Sequence, residues 1–167
     1  MSTEQEAATA GDPSTAEDAV ICCWANVRSK LRMAVAREST RDGAEIHQQL
    51  AASRLHQRWR LTVVGKDNDD VLYKIENDRS RKVLEVAADA AAGAVAVQRT
   101  YEGDDAHHQH WKLVPVGSES DSPRAYEIVN RKTGLFLRVD TNARAAIKQH
   151  GAEEGDPQGR QWHLLPV

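Results

Sequence analysis

This chain of 167 residues has few cysteines, few aromatic side chains and no long apolar segment. Its two cysteines, Cys22 and Cys23, are adjacent, so no disulfide can connect distant parts of the chain, and we expect two reduced thiols within a strand. No uninterrupted run of about eighteen apolar residues occurs, which argues against insertion into a membrane. The formal net charge of −3 argues equally against a strongly basic protein that binds nucleic acid.

The first eighteen residues differ in composition from the rest of the chain. They carry five acidic side chains, no lysine or arginine, and no large apolar residue after Met1. Such a segment cannot bury enough surface to offset the entropy lost on ordering, so we predict a disordered acidic tail over residues 1–18 and a folded domain over 19–167. The N-terminus lacks the basic and apolar regions of a signal peptide, which favours a cytoplasmic location and leaves other export routes open.

The sequence also lacks the local signatures of common enzymes. It contains no glycine-rich phosphate loop, no Gly-x-Ser-x-Gly elbow and no His-Glu-x-x-His motif, so we predict neither catalysis nor a cofactor. His108 and His110 would share one face of a strand beside Asp105, an arrangement that suggests a metal site. The simpler interpretation is a solvated loop that leads into a strand, and we predict no bound metal.

A threefold internal repeat is the strongest feature of the chain. Trp59, Trp111 and Trp162 recur at intervals of 52 and 51 residues, each within a similar phrase and each followed two positions later by leucine. A fixed period of this length is typical of repeat architectures. The three copies span residues 20–64, 71–116 and 125–167.

Within each copy, apolar and polar residues alternate with the period of two that is typical of half-buried strands. The alternation is clearest in three related triplets, which are Leu31-Arg32-Met33, Leu84-Glu85-Val86 and Leu137-Arg138-Val139. Each copy supplies about four short strands, and three copies arranged around a pseudo-threefold axis can close a barrel and remove its open edges. We therefore predict an all-β protein with the β-trefoil fold.

These features resemble the ricin-B-type β-trefoil lectins, a family whose hallmark is a Gln-x-Trp triplet in each of three repeats. Gln57-Arg58-Trp59 and Gln109-His110-Trp111 match the triplet, whereas Arg160-Gln161-Trp162 has arginine in place of glutamine. The phrase Tyr126–Gly134 resembles the opening of a repeat in bacterial members. The resemblance covers residues 20–167 and implies that the triplet tryptophans are core residues, as we also expect for Trp24.

The resemblance also implies where a sugar would bind. In the family, a carboxylate just after the leucine of the second strand accepts hydrogen bonds from sugar hydroxyls, an amide completes the network, and an aromatic ring stacks on the sugar. The carboxylate position would hold Arg32, Glu85 and Arg138 in the three repeats, so the middle repeat alone keeps an acid. The candidate carbohydrate-binding residues are therefore Glu85, Gln98, Tyr101, His108 and Gln109.

Two functions stay open at this point. The first is a lectin-like domain that binds a glycan or glycoconjugate through at most one pocket, in the middle repeat. The second is an intracellular protein-interaction module or inhibitor that uses its loops and has lost sugar binding. The remaining carboxylate favours the first function, whereas arginine at two carboxylate positions and the lack of disulfides favour the second.

Overall fold

A computed structural model describes residues 19–167, and the predicted acidic tail 1–18 lies outside this range. The described residues form twelve β-strands joined by loops and single turns of 3₁₀-helix. No helix within this range is long and apolar enough to cross a membrane. The strands are β1 (Val20–Asn26), β2 (Arg32–Val35), β3 (Ile46–Gln49), β4 (Trp59–Asp67), β5 (Asp70–Asn77), β6 (Val83–Glu85), β7 (Val97–Arg99), β8 (Trp111–Val116), β9 (Ala125–Asn130), β10 (Phe136–Arg138), β11 (Lys148–His150) and β12 (Gln161–Pro166).

Six of the strands close a barrel. Strands β1, β4, β5, β8, β9 and β12 pair in that order, and β12 pairs back with β1. The other six form three hairpins, β2–β3, β6–β7 and β10–β11, one from each repeat. Isolated bridges connect these hairpins to one another. The predicted β-trefoil, with four strands in each repeat, is therefore confirmed.

Four tryptophans occupy the core, as predicted. The fully buried tryptophans are Trp24, Trp59, Trp111 and Trp162. Each triplet tryptophan donates a hydrogen bond from its indole Nε1 to a carbonyl in the second strand of its own repeat, at distances of 3.0, 2.9 and 3.1 Å. The accepting carbonyls belong to Met33, Leu84 and Leu137. These bonds satisfy the indole donors of the three triplet tryptophans and hold the second strand of each repeat against the strand that carries the tryptophan.

The tryptophan contacts correct the alignment of the first repeat. Met33 rather than Leu31 is equivalent to Leu84, because each accepts the indole hydrogen bond and pairs with the glutamine of the following strand. The residue after Met33 is Ala34, so the prediction that Arg32 occupies the carboxylate position is wrong. A slip of two residues leaves every side chain on the same face of a strand, which is why the alternation concealed the error.

The three hairpins meet in a closed cycle of backbone hydrogen bonds. The amide of Ile46 donates to the carbonyl of Ala96 at 2.9 Å, Ala96 donates to Ile147 at 2.9 Å, and Ile147 donates back to Ile46 at 2.8 Å. All three residues are fully buried, so each bond satisfies polar groups that water cannot reach. The cycle defines the pseudo-threefold axis.

A buried glutamine in each repeat connects that repeat to the loop of a neighbour. Gln98 Oε1 accepts a hydrogen bond from Ser80 Oγ at 2.7 Å, and Gln98 Nε2 donates to the carbonyls of Ser39 and Arg41 at 3.1 and 2.9 Å. Gln48 and Gln149 make the corresponding contacts in the other repeats. Because Gln98 is fully buried and both ends of its amide are engaged, the structure places it in the framework rather than in the predicted sugar cleft.

Both cysteines are free thiols in β1, in accord with the sequence prediction. Cys22 packs in the hydrophobic core, and Cys23 faces the other side of the strand and is half-buried. Burial raises the pKa of the Cys22 thiol, so this side chain behaves as a small apolar core residue.

We predict that Gln98→Leu destabilises the fold, because it leaves two partly buried carbonyls and a serine hydroxyl without their partner. The expected loss is about 3 kcal/mol of the free energy of unfolding, measured by urea denaturation. Gln158→Leu is the control, since Gln158 is exposed and its side chain makes no hydrogen bond within residues 19–167. An equal, small effect of both substitutions would contradict a framework role for Gln98.

Candidate functional site

Glu85, at the end of β6, is the centre of a buried polar cluster. Its side chain is only 3% exposed. Arg99 Nε donates to Glu85 Oε2 at 2.9 Å, and Gln109 Nε2 donates to Glu85 Oε1 at 2.9 Å. Burial of a carboxylate is costly unless it is paired and hydrogen-bonded, and these two partners supply both compensations.

Two further contacts complete this cluster. His108 Nε2 lies 3.4 Å from Glu85 Oε1 and 3.7 Å from Glu102 Oε1. Gln109 Oε1 accepts from the backbone amide of Glu102 at 2.8 Å, and its Nε2 also reaches the Thr100 carbonyl, so this glutamine holds the loop that follows β7. The cluster is therefore a carboxylate oriented by an amide, an imidazole and a guanidinium.

Arg99 forms the outer wall of the cluster. Its side chain is 41% exposed although its partner Glu85 is buried, so the guanidinium lies between the carboxylate and solvent. The hydrogen bond and the charge of Glu85 raise the pKa of Arg99, which remains a cation. The sequence prediction missed Arg99. The sequence does carry one signal for this residue. Arg99 directly follows Gln98, whose side chain faces inward, so the side chain of Arg99 lies on the opposite face of the strand.

Tyr101, which the sequence placed in the sugar cleft, has different neighbours. Its hydroxyl is 2.9 Å from His110 Nε2, and Lys74 Nζ lies 4.6 Å from the centre of its ring. The structure thus brings Glu85, His108 and Gln109 together and adds Arg99. It places Tyr101 with His110 instead.

The equivalent position in the first repeat has no charged group. Ala34 replaces the carboxylate, and His56 Nε2 contacts Gln49 Oε1 at 3.3 Å where the middle repeat has His108 and Arg99. Gln57 keeps the loop-holding role of its triplet, donating to the Leu50 carbonyl at 2.8 Å. The first repeat therefore retains the framework of the cluster but has no carboxylate at the strand position, although Glu38 Oε1 of the adjoining loop lies 3.8 Å from His56 Nδ1.

The third repeat fills the same position with a buried cation. Arg138 is only 1% exposed; its Nε donates to Asp140 Oδ1 at 2.9 Å, and its terminal nitrogens donate to the carbonyls of Glu154 and Asp156. Gly155, with φ +69°, lies so close to the guanidinium that a Cβ there would collide with an Arg138 nitrogen. The loop is built around Arg138, so a guanidinium stands where the middle repeat has its carboxylate, beside a cavity of about 240 Å³ that Arg138 and His150 help to line.

The histidine-rich segment does not have the geometry that would suggest a metal. Residues His107–Gln109 form a 3₁₀ turn and β8 begins only at Trp111, so His108 and His110 do not share a strand face. His108 points to Glu85, whereas His110 contacts Tyr101 and Arg131. Within residues 19–167, no three histidine, cysteine or acidic side chains are grouped as metal ligands would be.

The family of the chain follows from a comparison with models of protein families. The model of the ricin-type β-trefoil lectin domain-like family matches residues 15–99 and residues 56–150. These two overlapping matches cover most of the chain and include the first two Gln-x-Trp triplets. The chain belongs to this family. No match is found among the curated proteins.

Solved structures of several proteins have the same fold. ThreeFoil, a designed protein with threefold symmetry, is 29% identical, covers 88% of this chain and 99% of its own, and has a TM-score of 0.72. An exo-β-1,3-galactanase from Clostridium thermocellum is 26% identical over 89% of this chain with a TM-score of 0.75, and the match spans 30% of that enzyme. A Macrolepiota procera ricin B-like lectin, solved in complex with lactose, is 14% identical, covers 92% of this chain and 98% of its own, and has a TM-score of 0.65.

His110 is a buried neutral histidine next to the cluster. Arg131 Nη1 lies 3.0 Å from His110 Nδ1. A guanidinium can only donate, so Nδ1 is the unprotonated nitrogen and Nε2–H donates to the Tyr101 hydroxyl. Burial and the charge of Arg131 lower the pKa of His110.

We predict that this histidine makes the fold sensitive to acid. The unfolded chain takes up a proton on His110 as the pH falls below about 6.5, whereas the folded chain resists it, so the free energy of unfolding should decrease from about pH 7.5 to about pH 5.5. In His110→Gln this decrease should be smaller, although His56 and His163, whose pKa values burial also lowers, act in the same direction. Denaturant titrations at each pH measure the slope. An unchanged slope would contradict a neutral buried His110.

Proposed function

We propose that this domain binds carbohydrate through one cleft in the middle repeat, formed by Glu85, Arg99, His108 and Gln109. The observation that carries the proposal is the retained carboxylate, since the equivalent positions hold Ala34 and the buried Arg138. A carboxylate held rigid by an amide and an imidazole can accept hydrogen bonds from two adjacent sugar hydroxyls. Membership of the ricin-type lectin family and the lactose complex of the Macrolepiota lectin support the same class of ligand.

Access to the carboxylate requires Arg99 to move. Both oxygens of Glu85 are hydrogen-bonded within the protein, and Arg99 is the partner with an exposed side chain. A sugar hydroxyl would take the place of the guanidinium at Oε2, while Gln109 keeps Oε1 in position. The displaced guanidinium stays close enough to hydrogen-bond a neighbouring hydroxyl of the sugar.

The cleft lacks the aromatic platform on which sugar rings commonly stack. Tyr101 is engaged by His110 and Lys74, and its neighbour Thr100 is an exposed aliphatic hydroxyl residue. A single shallow site of this kind binds weakly, with a dissociation constant of ~1 mM, which corresponds to a binding free energy of ~4 kcal/mol. Useful avidity would come from several domains on one surface or from tethering to another module.

The first test removes the acceptor charge. Glu85→Gln keeps the shape of the side chain but replaces one acceptor oxygen with a donor, so we expect glycan binding to fall by at least about tenfold on an array of neutral glycans. Glu119→Gln is the matched control, because Glu119 is exposed and its side chain makes no hydrogen bond in the described part of the chain. Equal binding by both variants would contradict the role of Glu85.

A second substitution tests the displacement of Arg99. Arg99→Ala frees Glu85 Oε2, so we expect a dissociation constant several times lower than that of the wild-type domain for the same glycan. Titration calorimetry with the best array ligand measures the change. Weaker binding by Arg99→Ala would show that the guanidinium contributes more as a sugar contact than it costs as a competitor.

A second candidate function is protein binding by a trefoil that has lost sugar recognition. It is favoured by two exposed apolar side chains, Leu50 and Leu55, which are 57% and 47% exposed and lie at the two ends of one loop of the first repeat. The repeat that carries them has Ala34 in place of the carboxylate. An empty glycan array from folded protein, together with capture of one protein partner that Leu50→Ser and Leu55→Ser abolish, would favour this function over the first.

A further inference from the structure

Each repeat closes its part of the barrel by pairing its first strand with its fourth, and the middle repeat does so less completely than the other two. β1 pairs with β4 over three residue pairs, and β9 pairs with β12 over three. Within residues 19–167, β5 pairs with β8 only through Tyr73 and Trp111. Two residues further along each strand, Val71 and Leu113 stand where the first repeat continues its ladder, but they do not pair. The barrel wall is therefore open between β5 and β8.

The hairpin formed by β4 and β5 has an irregularity that accounts for this opening. Its register shifts between Val63 and Gly65, which marks a β-bulge. A bulge increases the local twist of a hairpin, so the end of this hairpin turns away from β8. Beyond the bulge the hairpin continues to the pair Asp67 and Asp70. Lys112 Nζ of β8 lies 3.7 Å from Asp67 Oδ2 and 3.4 Å from Asp70 Oδ2, so ion pairs connect the two parts where the ladder is missing.

The gap between residues 69–73 and residues 112–115, called the open seam below, contains a cavity of about 300 Å³. Its lining combines apolar side chains of both strands with the charged end of the hairpin. The apolar residues of the lining are Val71, Leu113, Val114 and Pro115. Val114 is 41% exposed, so part of this apolar wall is open to solvent. No residue of the lining belongs to the Glu85 cleft, and the open seam is a separate site.

The backbone along the open seam is suited to pairing with an additional strand. Leu164, the counterpart of Leu113 in the third repeat, donates its amide to the carbonyl of Arg124 at 3.0 Å, across the pair formed by β12 and β9. Because backbone groups alternate between the two sides of an antiparallel strand, the N–H and C=O of Leu113 point across the open seam in the same way, and those of Val71 face them from β5. An extended peptide that joins a sheet pairs with backbone groups of this kind.

The charge at the hairpin end of the open seam favours a basic partner. The charged residues of the lining are Asp69, Asp70 and Lys112, which leaves one carboxylate in excess. Lys112 is already shared by Asp70 and Asp67, whereas Asp69 makes no ion pair and no side-chain hydrogen bond in the part of the chain that the structure describes. A lysine or arginine on an incoming segment would pair with Asp69. The chain's own residues 1–18, which carry five acidic and no basic side chains, are disfavoured by the same charge.

We propose that the open seam binds an extended peptide segment of another protein that carries a lysine or arginine beside apolar residues. The segment would pair its backbone with Leu113 of β8, place its apolar side chains against the apolar wall, and place its basic side chain at Asp69. From Asp70 to Tyr73 the open seam is about 10 Å long, at about 3.3 Å per residue, which is enough for three or four residues of extended chain. This binding does not depend on the sugar cleft.

The experiment selects peptides from a random dodecapeptide library displayed on phage, with the full chain as the target, and titrates the enriched peptides by calorimetry. We expect a consensus in which a basic residue accompanies apolar residues at alternate positions. The double variant D69N/D70N should lose at least about tenfold in affinity for the selected peptide. The control D89N/E153Q removes the same charge from exposed side chains outside the open seam and should change the affinity less than about twofold. Glu85→Gln should bind the peptide as the wild-type chain does.

A second measurement distinguishes strand pairing from attraction between side chains. In a peptide that joins a sheet at its edge, alternate amides donate to the neighbouring strand and the amides between them point away. N-methylation of the selected peptide, one position at a time, should therefore weaken binding by about tenfold at every second residue. The positions between them should stay within about twofold of the unmodified peptide.

Four results would overturn the proposal. The first is a selection that yields no basic consensus. The second is an equal loss of affinity in D69N/D70N and D89N/E153Q, which would indicate attraction by overall charge alone. The third is an equal effect of N-methylation at successive positions of the peptide. The fourth is a dimer of the wild-type chain in sedimentation velocity that Val114→Ser converts to a monomer, since a second copy would then occupy the open seam.

Discussion

The fold depends on the cycle of backbone hydrogen bonds that joins Ile46, Ala96 and Ile147 around the pseudo-threefold axis. Each hairpin donates one bond and accepts one, so no hairpin can satisfy its buried backbone groups without the other two. The bonds join backbone atoms, which explains why alanine can stand where the other two repeats have isoleucine. Closure of the cycle also removes the free strand edges that three separate hairpins would expose.

Much of this framework could be predicted from the sequence because it requires particular side chains at fixed spacings along the chain. Core tryptophans, buried glutamines and buried asparagines recur in the three copies, and the tryptophans alone establish the period. The register of β2 in the first repeat could not be obtained from the alternation of apolar and polar residues, since a shift of two residues leaves each side chain on the same face of the strand. The spacing from the buried asparagine, seven residues from Asn26 to Met33 and from Asn77 to Leu84, carries the information that alternation lacks.

The sequence predicts residues of the candidate site only where they are close in the chain to residues of that framework. Glu85 follows Leu84, whose carbonyl accepts the indole hydrogen bond, and Gln109 lies two residues before the core tryptophan Trp111. The positions of Glu85 and Gln109 are therefore fixed by the framework. The direction of Tyr101 depends on His110, and this contact arises from tertiary packing rather than from local pattern. The framework role of Gln98 was available in the sequence, because Gln48 and Gln149 recur in repeats that have no carboxylate to serve.

Several of the hydrogen bonds that maintain the fold cross between repeats, whereas those at the pocket positions stay within one repeat. Asn26, Asn77 and Asn130 each donate to a carbonyl of another repeat, as do the framework glutamines. The partners of Glu85 all belong to the middle repeat, and those of Arg138 all belong to the third. A change at a pocket position therefore needs compensation only inside its own repeat. This separation explains how one scaffold accommodates an alanine, a paired carboxylate and a buried guanidinium at three equivalent strand ends without loss of its symmetry.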